Sequence, residues 1–210
     1  MTTRERGTSV RREAPTAAVG VRLVIVCHLV LVLAAGALHA AQKDSEESTR
    51  VALGNVSGPP KTKVMVPLYL TPASGDLRVG SISAAIGFDS KMVSFIKAEK
   101  GFLLEGAEGT VRSEIQKGAE GSNHSVLLLD LSTRGEPRKS FKEGLLVTLT
   151  FEVAPQAVPG KKVTLEFEKA SAEDLSTPPQ NIEPLSTHNG IIEILPSDAL
   201  PYVPCFLFSH

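Results

Sequence analysis

The chain has 210 residues, of which 42% are hydrophobic and 21% are charged, and its formal net charge is −1 at pH 7. This composition is typical of a globular protein and excludes a disordered chain. The near-neutral charge, with no basic stripe after residue 22, argues against a nucleic acid partner. The length suits one domain with extensions at its ends.

The first 41 residues have the order of segments that is typical of a secretory signal peptide. Arginines come first, an apolar run from Leu23 to Ala35 follows, and small residues at 36–41 precede a polar stretch. The apolar run is about 13 to 16 residues long, shorter than the ~20 that a membrane-spanning helix needs. We therefore predict that residues 1–41 are a signal and that the protein is secreted or exposed at the cell envelope. The alternative is that residues 1–41 are an uncleaved anchor that attaches the protein to a membrane.

Cysteine usage agrees with export without disulfides. Cys27 lies inside the apolar run and Cys205 lies in the C-terminal tail at 196–210, so the domain between them has no cysteine pair. The tail is apolar but far too short to span a bilayer. Because the domain has no cysteine pair, its apolar core alone must stabilise it.

After a polar linker at 42–50, residues 51–195 form a series of short segments with alternating apolar side chains. Glycine, proline, asparagine and serine separate the segments, and no stretch of ten or more residues shows an apolar stripe with helical periodicity. The nine predicted strands are Val51–Leu53, Lys63–Leu70, Val79–Phe88, Val93–Ala98, Thr110–Gln116, Ser125–Leu131, Leu145–Val153, Val163–Phe167 and Ile191–Ile194. This pattern predicts an all-β sandwich or barrel. Pro67 cannot donate a ladder hydrogen bond, so its strand is predicted to lie at an edge or to bulge there.

The residues needed for catalysis or for metal binding are scattered. His124 and His188 are the histidines of the predicted domain, and both lie in polar, turn-like surroundings that favour surface loops. The sequence contains no Gly-x-Ser-x-Gly elbow and no Asp-x-Asp-x-Asp-Gly calcium loop. Asp89 is predicted to cap its own turn. We therefore predict a protein that is not an enzyme and that holds no cofactor or metal.

Three sequence strings, taken in order, resemble the cohesin module. The first, Ile86–Phe95, is a strand that ends in Phe-Asp-Ser and returns through an apolar residue. The second, Gly144–Val153, is a glycine-started strand ending in Phe-x-Val, and the third, Asn189–Ile194, is a tight turn into a final strand. The resemblance implies a nine-stranded jelly roll that binds a dockerin, a small helical module carrying its own calcium. Polysaccharide-degrading enzymes are one class of dockerin-bearing partner.

The resemblance also implies that the partner docks on one sheet, formed here by Val79–Phe88, Thr110–Gln116, Ser125–Leu131 and Val163–Phe167. The candidate partner-binding residues on these strands are Ser81, Ser83, Ala85, Arg112, Glu114, Leu127, Leu129 and Glu166. Ser81, Ser83 and Ala85 form a flat surface of small residues, and the charged side chains form a polar rim. The nearly continuous apolar run at 125–131 leaves open whether Leu127 and Leu129, or instead Val126 and Leu128, supply an apolar centre. It also leaves open that these leucines belong to the core.

Two other functions compete with this one. The first is a carbohydrate-binding module with a sandwich fold, and the second is a surface or assembly scaffold. A sugar platform normally needs coplanar aromatic rings, but the chain has no tryptophan and only two tyrosines, Tyr69 and Tyr202. Phe88, Phe151 and Phe167 occupy positions whose alternation points them inward. A polysaccharide ligand is therefore the weaker alternative to a protein partner.

Overall fold

A computed structural model describes residues 48–119 and 121–198 of the chain. The predicted signal at 1–41, most of the linker, Cys27, Cys205 and residues 199–210 of the tail lie outside the described residues. Eleven strands and one short helix are described. In chain order they are β1 (Thr49–Leu53), β2 (Val56–Gly58), β3 (Lys63–Thr71), β4 (Val79–Asp89), β5 (Val93–Lys100), α1 (Phe102–Gly106), β6 (Thr110–Lys117), β7 (His124–Ser132), β8 (Gly144–Val153), β9 (Lys162–Asp174), β10 (Leu185–His188) and β11 (Gly190–Ile194).

The strands form two packed sheets, which confirms the predicted all-β sandwich. One sheet has five strands in the order β10-β1-β3-β8-β5, and the other has six in the order β2-β11-β9-β4-β7-β6. Apolar side chains at alternate positions of most strands meet between the sheets, as expected when one face of each sheet is buried. At the centre, the ring of Phe151 makes edge-to-face contacts with Phe88 and Phe95, at centroid distances of 5.4 and 5.6 Å. In the part of the chain described, no helix is long and apolar enough to cross a membrane.

The strand count differs from the nine predicted. β2 and β10 are short and pair in parallel with β11 and β1 respectively. Their sequences, Val-Ser-Gly and Leu-Ser-Thr-His, contain one apolar side chain each, so no alternation marks them as strands. Between β5 and β6 the chain also forms the single turn of α1, and β1 begins at Thr49, inside the predicted linker.

Pro67 lies in the interior of a sheet rather than at its edge. β3 is flanked by β1 and β8, so the prediction of an edge strand is wrong. The proline is tolerated because β1 ends at Leu53, opposite Leu68, and its ring lies just beyond that end. Gly54 N donates a hydrogen bond to Pro67 O at 2.8 Å, and the register shifts one residue further on, between Leu68 and Tyr69.

Candidate functional site

The four strands predicted to form a docking sheet are neighbours in the six-stranded sheet. They lie in the order β9-β4-β7-β6, with β4 and β7 in the middle and β6 at the edge. β4 pairs antiparallel with both β7 and β9 along most of its length. We call the outer, solvent-facing side of these four strands the docking face.

A lane of small side chains runs along the middle of the docking face. It consists of Ser81, Ser83, Ala85 and Gly87, the outward positions of β4. Because consecutive side chains of a strand alternate between faces, the intervening Ile82, Ala84, Ile86 and Phe88 are buried in the core. The lane therefore brings the backbone of β4 close to the surface, where a partner's helix can approach it.

Two of the predicted contact residues lie on the wrong side of the sheet. Leu127 is 0% exposed and Leu129 is 1% exposed, and both belong to the core cluster. Their neighbours Val126 and Leu128 are half-buried on the docking face, where Leu128 lies opposite Ala85 and Val126 opposite Gly87. The alternative pair considered from the sequence thus supplies the apolar centre of the face.

The three predicted rim residues lie on the docking face. Arg112 and Glu114 are exposed on β6, opposite Asp130 and Leu128 of β7. Glu166 is exposed on β9, opposite Gly87. The sheet therefore brings together Ser81, Ser83, Ala85, Arg112, Glu114 and Glu166.

Two carboxylates that were not predicted from the sequence hydrogen-bond to the lane. Ser81 Oγ donates to Glu173 Oε2 at 2.9 Å, and Ser83 Oγ donates to Asp130 Oδ1 at 2.7 Å. Asp130 lies two residues after Leu128 and four after Val126, so its side chain points to the same face of β7. This spacing could have identified Asp130 from the sequence. Glu173 lies in the part of β9 beyond Phe167, which was not predicted to be a strand.

A third polar pair lies at the Gly87 end of the lane. His124 Nε2 is 2.6 Å from Glu168 Oε1. His124 is exposed, as predicted, but it begins strand β7 rather than lying in a loop. His188, also exposed, ends β10 in the other sheet. In the described chain, no group of three or more histidine, cysteine or acidic side chains is placed to hold a metal ion.

The centre of the docking face is shallow and open. A depression of about 420 Å³ is lined by residues of β4, β7 and β9, including Ala85, Leu128 and Lys169. Its lining contains no phenylalanine or tyrosine, and the candidate rings Phe88 and Phe151 lie in the core, at 3% and 0% exposure. This shape suits contact with a protein surface better than stacking of sugar rings.

Comparison with known proteins identifies a family. The cohesin domain family model matches residues 49–194, from the first residue of β1 to the last of β11. No curated protein sequence matches the chain.

Several solved structures share the fold. A type I cohesin–dockerin complex from Clostridium thermocellum, Coh-OlpA with Doc918, has 20% identity and a TM-score of 0.56, covering 70% of this chain and 99% of that one. The sixth cohesin of Acetivibrio cellulolyticus scaffoldin B, solved with a Cel5 dockerin mutant, has 16% identity and a TM-score of 0.52, with coverages of 70% and 99%. A non-cellulosomal cohesin from the archaeon Archaeoglobus fulgidus has 16% identity and a TM-score of 0.55, with coverages of 72% and 94%. At these identities the structures show the fold alone, whereas the family match extends over the whole sandwich. The chain belongs to the cohesin domain family.

Proposed function

We propose that this chain is an exported, non-catalytic receptor module that binds a dockerin-bearing protein through its docking face. The observation that carries the proposal is the cohesin family match from residue 49 to residue 194. The relatives from Clostridium thermocellum and Acetivibrio cellulolyticus were both solved with a dockerin. Export is supported by the signal-like order of residues 1–41.

The chemistry of the docking face supports a contact surface rather than an active site. Small side chains at Ser81, Ser83 and Ala85 let a helix approach the sheet closely, and Leu128 offers apolar area at the centre. Interfaces of this kind have an apolar centre and a polar rim, the latter formed here by Arg112 and Glu166 with their charged neighbours. The face is open to solvent, while catalysis generally uses a concave pocket that excludes water.

The partner is defined by its dockerin rather than by its enzymatic activity. The archaeal relative is a non-cellulosomal cohesin, so membership of this family does not fix what the dockerin is attached to. Polysaccharide-degrading enzymes are one class of partner that the proposal allows. Calcium belongs to the dockerin and not to this chain.

Calorimetric titration with single dockerin modules tests the proposal. Each dockerin encoded in the same genome as this chain is expressed alone, loaded with calcium and titrated into the protein. We expect at least one to bind, and a chelator to abolish that binding while leaving the melting temperature of this chain unchanged. The absence of binding by every dockerin, together with retention of the protein on insoluble cellulose or chitin, would instead support the carbohydrate-binding alternative.

A pair of matched variants locates the contact. Leu128→Glu places a charge at the half-buried centre of the docking face, whereas Met65→Glu places one on the opposite sheet, where Met65 is 62% exposed. We expect Leu128→Glu to weaken dockerin binding by a factor of a hundred or so, because a central contact of an interface carries much of its affinity. Met65→Glu should leave the affinity unchanged. Equal effects of the two variants would show that the dockerin binds elsewhere.

A further inference from the structure

We infer that the partner segment seated on the Ser81–Ser83 part of the docking face is cationic and presents lysine or arginine side chains to Glu173 and Asp130. The inference rests on the proposed function for the location of the face. It goes further by specifying the chemistry of the surface that fits there. Two hydrogen bonds and the arrangement of charges around them carry the argument.

The two serines offer the partner only hydrogen-bond acceptors. A serine hydroxyl has one hydrogen to donate, and an ionised carboxylate can only accept. The hydrogen of Ser81 is used in the 2.9 Å bond to Glu173, and that of Ser83 in the 2.7 Å bond to Asp130. The remaining lone pairs of all four side chains face solvent and can be satisfied only by donors. A docked partner without donors would leave them desolvated and unpaired, which is costly.

The charge around Glu173 makes a cationic donor preferable to a neutral one. The cross-strand row that contains Glu173 continues through Ser81 and Ser132 to Thr110, and all three are uncharged. On its other side, Glu173 pairs with Asn181, which is also neutral. A cationic donor adds Coulomb attraction to the ionised carboxylate, which a neutral donor to the same oxygen lacks. Glu173 is therefore the stronger of the two attachment points.

Asp130 is in a different position, because Arg112 lies directly opposite it on the edge strand β6. Arg112 partly balances the charge of Asp130. A cation of the partner therefore gains less electrostatic attraction at Asp130 than at Glu173. Elsewhere on the docking face, Lys169 of β9 lies opposite Ala85, one row beyond Ser83, and Lys162 lies at the far end of the same strand. The row of Glu173 has no cation, so a partner's lysine or arginine meets no repulsion within it.

The backbones of Glu173 and Asp130 are about as far apart as two residues on one face of a helix. Glu173 and Asp130 lie on strands either side of β4 and one row apart, which places their backbones about 12 Å from each other. Residues separated by seven positions on one face of an α-helix are about 10.5 Å apart. Two lysines at this spacing, with small residues between them, fit the lane.

A pair of stapled helical peptides of about 14 residues (~21 Å long) tests the inference without any dockerin. The peptides are alanine-rich and identical except for two positions seven residues apart, which carry lysine in one and glutamate in the other. Each is titrated into ¹⁵N-labelled protein and followed by NMR. We expect the lysine peptide to shift the backbone amides of Ser81, Ser83 and Asp130, and the glutamate peptide to leave them in place. Equal shifts from both peptides, or none from the lysine peptide, would overturn the inference.

Isosteric variants provide the second readout. Glu173→Gln should weaken binding of the lysine peptide about tenfold and Asp130→Asn by a smaller factor, since each removes the negative charge that attracts the lysine. Glu99→Gln is the matched control, because Glu99 is an exposed strand carboxylate on the opposite sheet. A well-dispersed NMR spectrum establishes that each variant is folded. Binding that is equal in Glu173→Gln and Glu99→Gln would contradict the inference.

The outcomes separate this inference from the proposed function. If a dockerin binds but is insensitive to Glu173→Gln and to about 0.5 M salt, which screens exposed charges strongly, the receptor function stands and the cationic contact is wrong. If no dockerin binds but the lysine peptide does, the surface chemistry stands and the proposed partner is wrong.

Discussion

His124 and Glu168 face each other across the outer side of Gly87, with Nε2 and Oε1 2.6 Å apart. A β carbon added to Gly87 would lie 2.5 Å from Glu168 Oε1 and 2.6 Å from His124 Cε1. The pair therefore occupies the space that a side chain at position 87 would take. Glu168 reaches this position because β9 bulges there: Ala85 pairs with Lys169 but Ile86 pairs with Phe167.

Alanine at Gly87 should open the His124–Glu168 pair at little cost in stability. The two obstructing groups are ends of exposed side chains that can rotate away, and an exposed polar pair of this kind contributes at most about 1 kcal/mol. Alanine in a strand regains roughly 0.5–1 kcal/mol relative to glycine. We expect Gly87→Ala to change the free energy of unfolding, measured in urea, by less than about 1 kcal/mol.

Gly101→Ala is the matched control, because its obstruction is backbone. A β carbon there would lie 2.6 Å from Leu145 O and 2.9 Å from Leu146 O, and Gly101 N also donates to Leu146 O at 2.7 Å. We expect a loss of about 2 kcal/mol or more, in the range of overpacking substitutions. Equal losses of stability in Gly87→Ala and Gly101→Ala would show that the mobility of the obstructing groups does not determine the free-energy cost of the added β carbon.

Truncation of adjacent leucines tests the two faces of β7. Leu127 is 0% exposed, so Leu127→Ala should lower the free energy of unfolding by about 2–5 kcal/mol. Leu128 is half-buried on the docking face, and Leu128→Ala should cost about 1 kcal/mol or less. Urea denaturation of both variants measures the difference. A larger loss in Leu128→Ala would mean that the strand has the opposite orientation.

Leu127 and Leu128 also show which features of the fold can be predicted from the sequence and which cannot. Alternation fixes the buried face of β4 and of the part of β8 from Val147 to Val153, because polar or small residues separate the apolar ones there. Between Val126 and Leu129 every residue is apolar, so periodicity cannot decide which side chains face the core. The structure decides through the register, which sets Leu128 opposite Ala85 and Leu127 opposite Ile86.

The missed parts of the site have a similar physical origin. The second half of β9, from Glu168 to Asp174, is rich in polar residues and is held in the sheet by pairing with β4 rather than by an apolar pattern of its own. The bulge in β9 shifts by one residue which side chains point outward. Alternation along the sequence therefore could not have placed Glu173 beside Ser81. By contrast, Asp89 caps its turn as predicted: its Oδ1 accepts a hydrogen bond from Lys91 N at 2.9 Å.

Thr150→Val should stabilise the protein. Thr150 is 4% exposed, and its Oγ1 is a buried side-chain oxygen without a hydrogen-bond partner among the described residues. Leaving such a group unpaired costs about 1–3 kcal/mol, while valine has the same shape and an equal preference for strands. We expect an increase of about 1 kcal/mol in the free energy of unfolding.

Thr148→Val serves as the comparison for this prediction. Thr148 is half-buried on the same side of β8, where water can satisfy its hydroxyl. We therefore expect little change in its urea midpoint. A Thr150→Val protein that is less stable than the parent would mean that the Thr150 hydroxyl is hydrogen-bonded in solution.

Asp174 should make the stability depend on pH. Its Oδ1 accepts hydrogen bonds from Ser176 Oγ at 2.6 Å, Gln180 N at 2.8 Å and Ser176 N at 3.0 Å. The Ser176 hydroxyl, followed by the two backbone groups, holds the pKa of Asp174 below its ordinary value. A carboxylate with a lowered pKa in the folded state stabilises the fold above its unfolded pKa, and this stabilisation is lost as the pH falls through the folded value.

The variant Asp174→Asn removes the charge while keeping the shape of the side chain. We expect it to be less stable than the parent at neutral pH, and the difference to shrink as the pH falls below about 3.9, the ordinary pKa of aspartate. Urea unfolding at a series of pH values measures the difference, and an NMR titration of the Asp174 carboxyl carbon measures its pKa. Asp76→Asn, at an exposed turn position, is the matched control. A difference that grows on acidification would contradict the assignment, because it would require the carboxyl of Asp174 to be held in its neutral form.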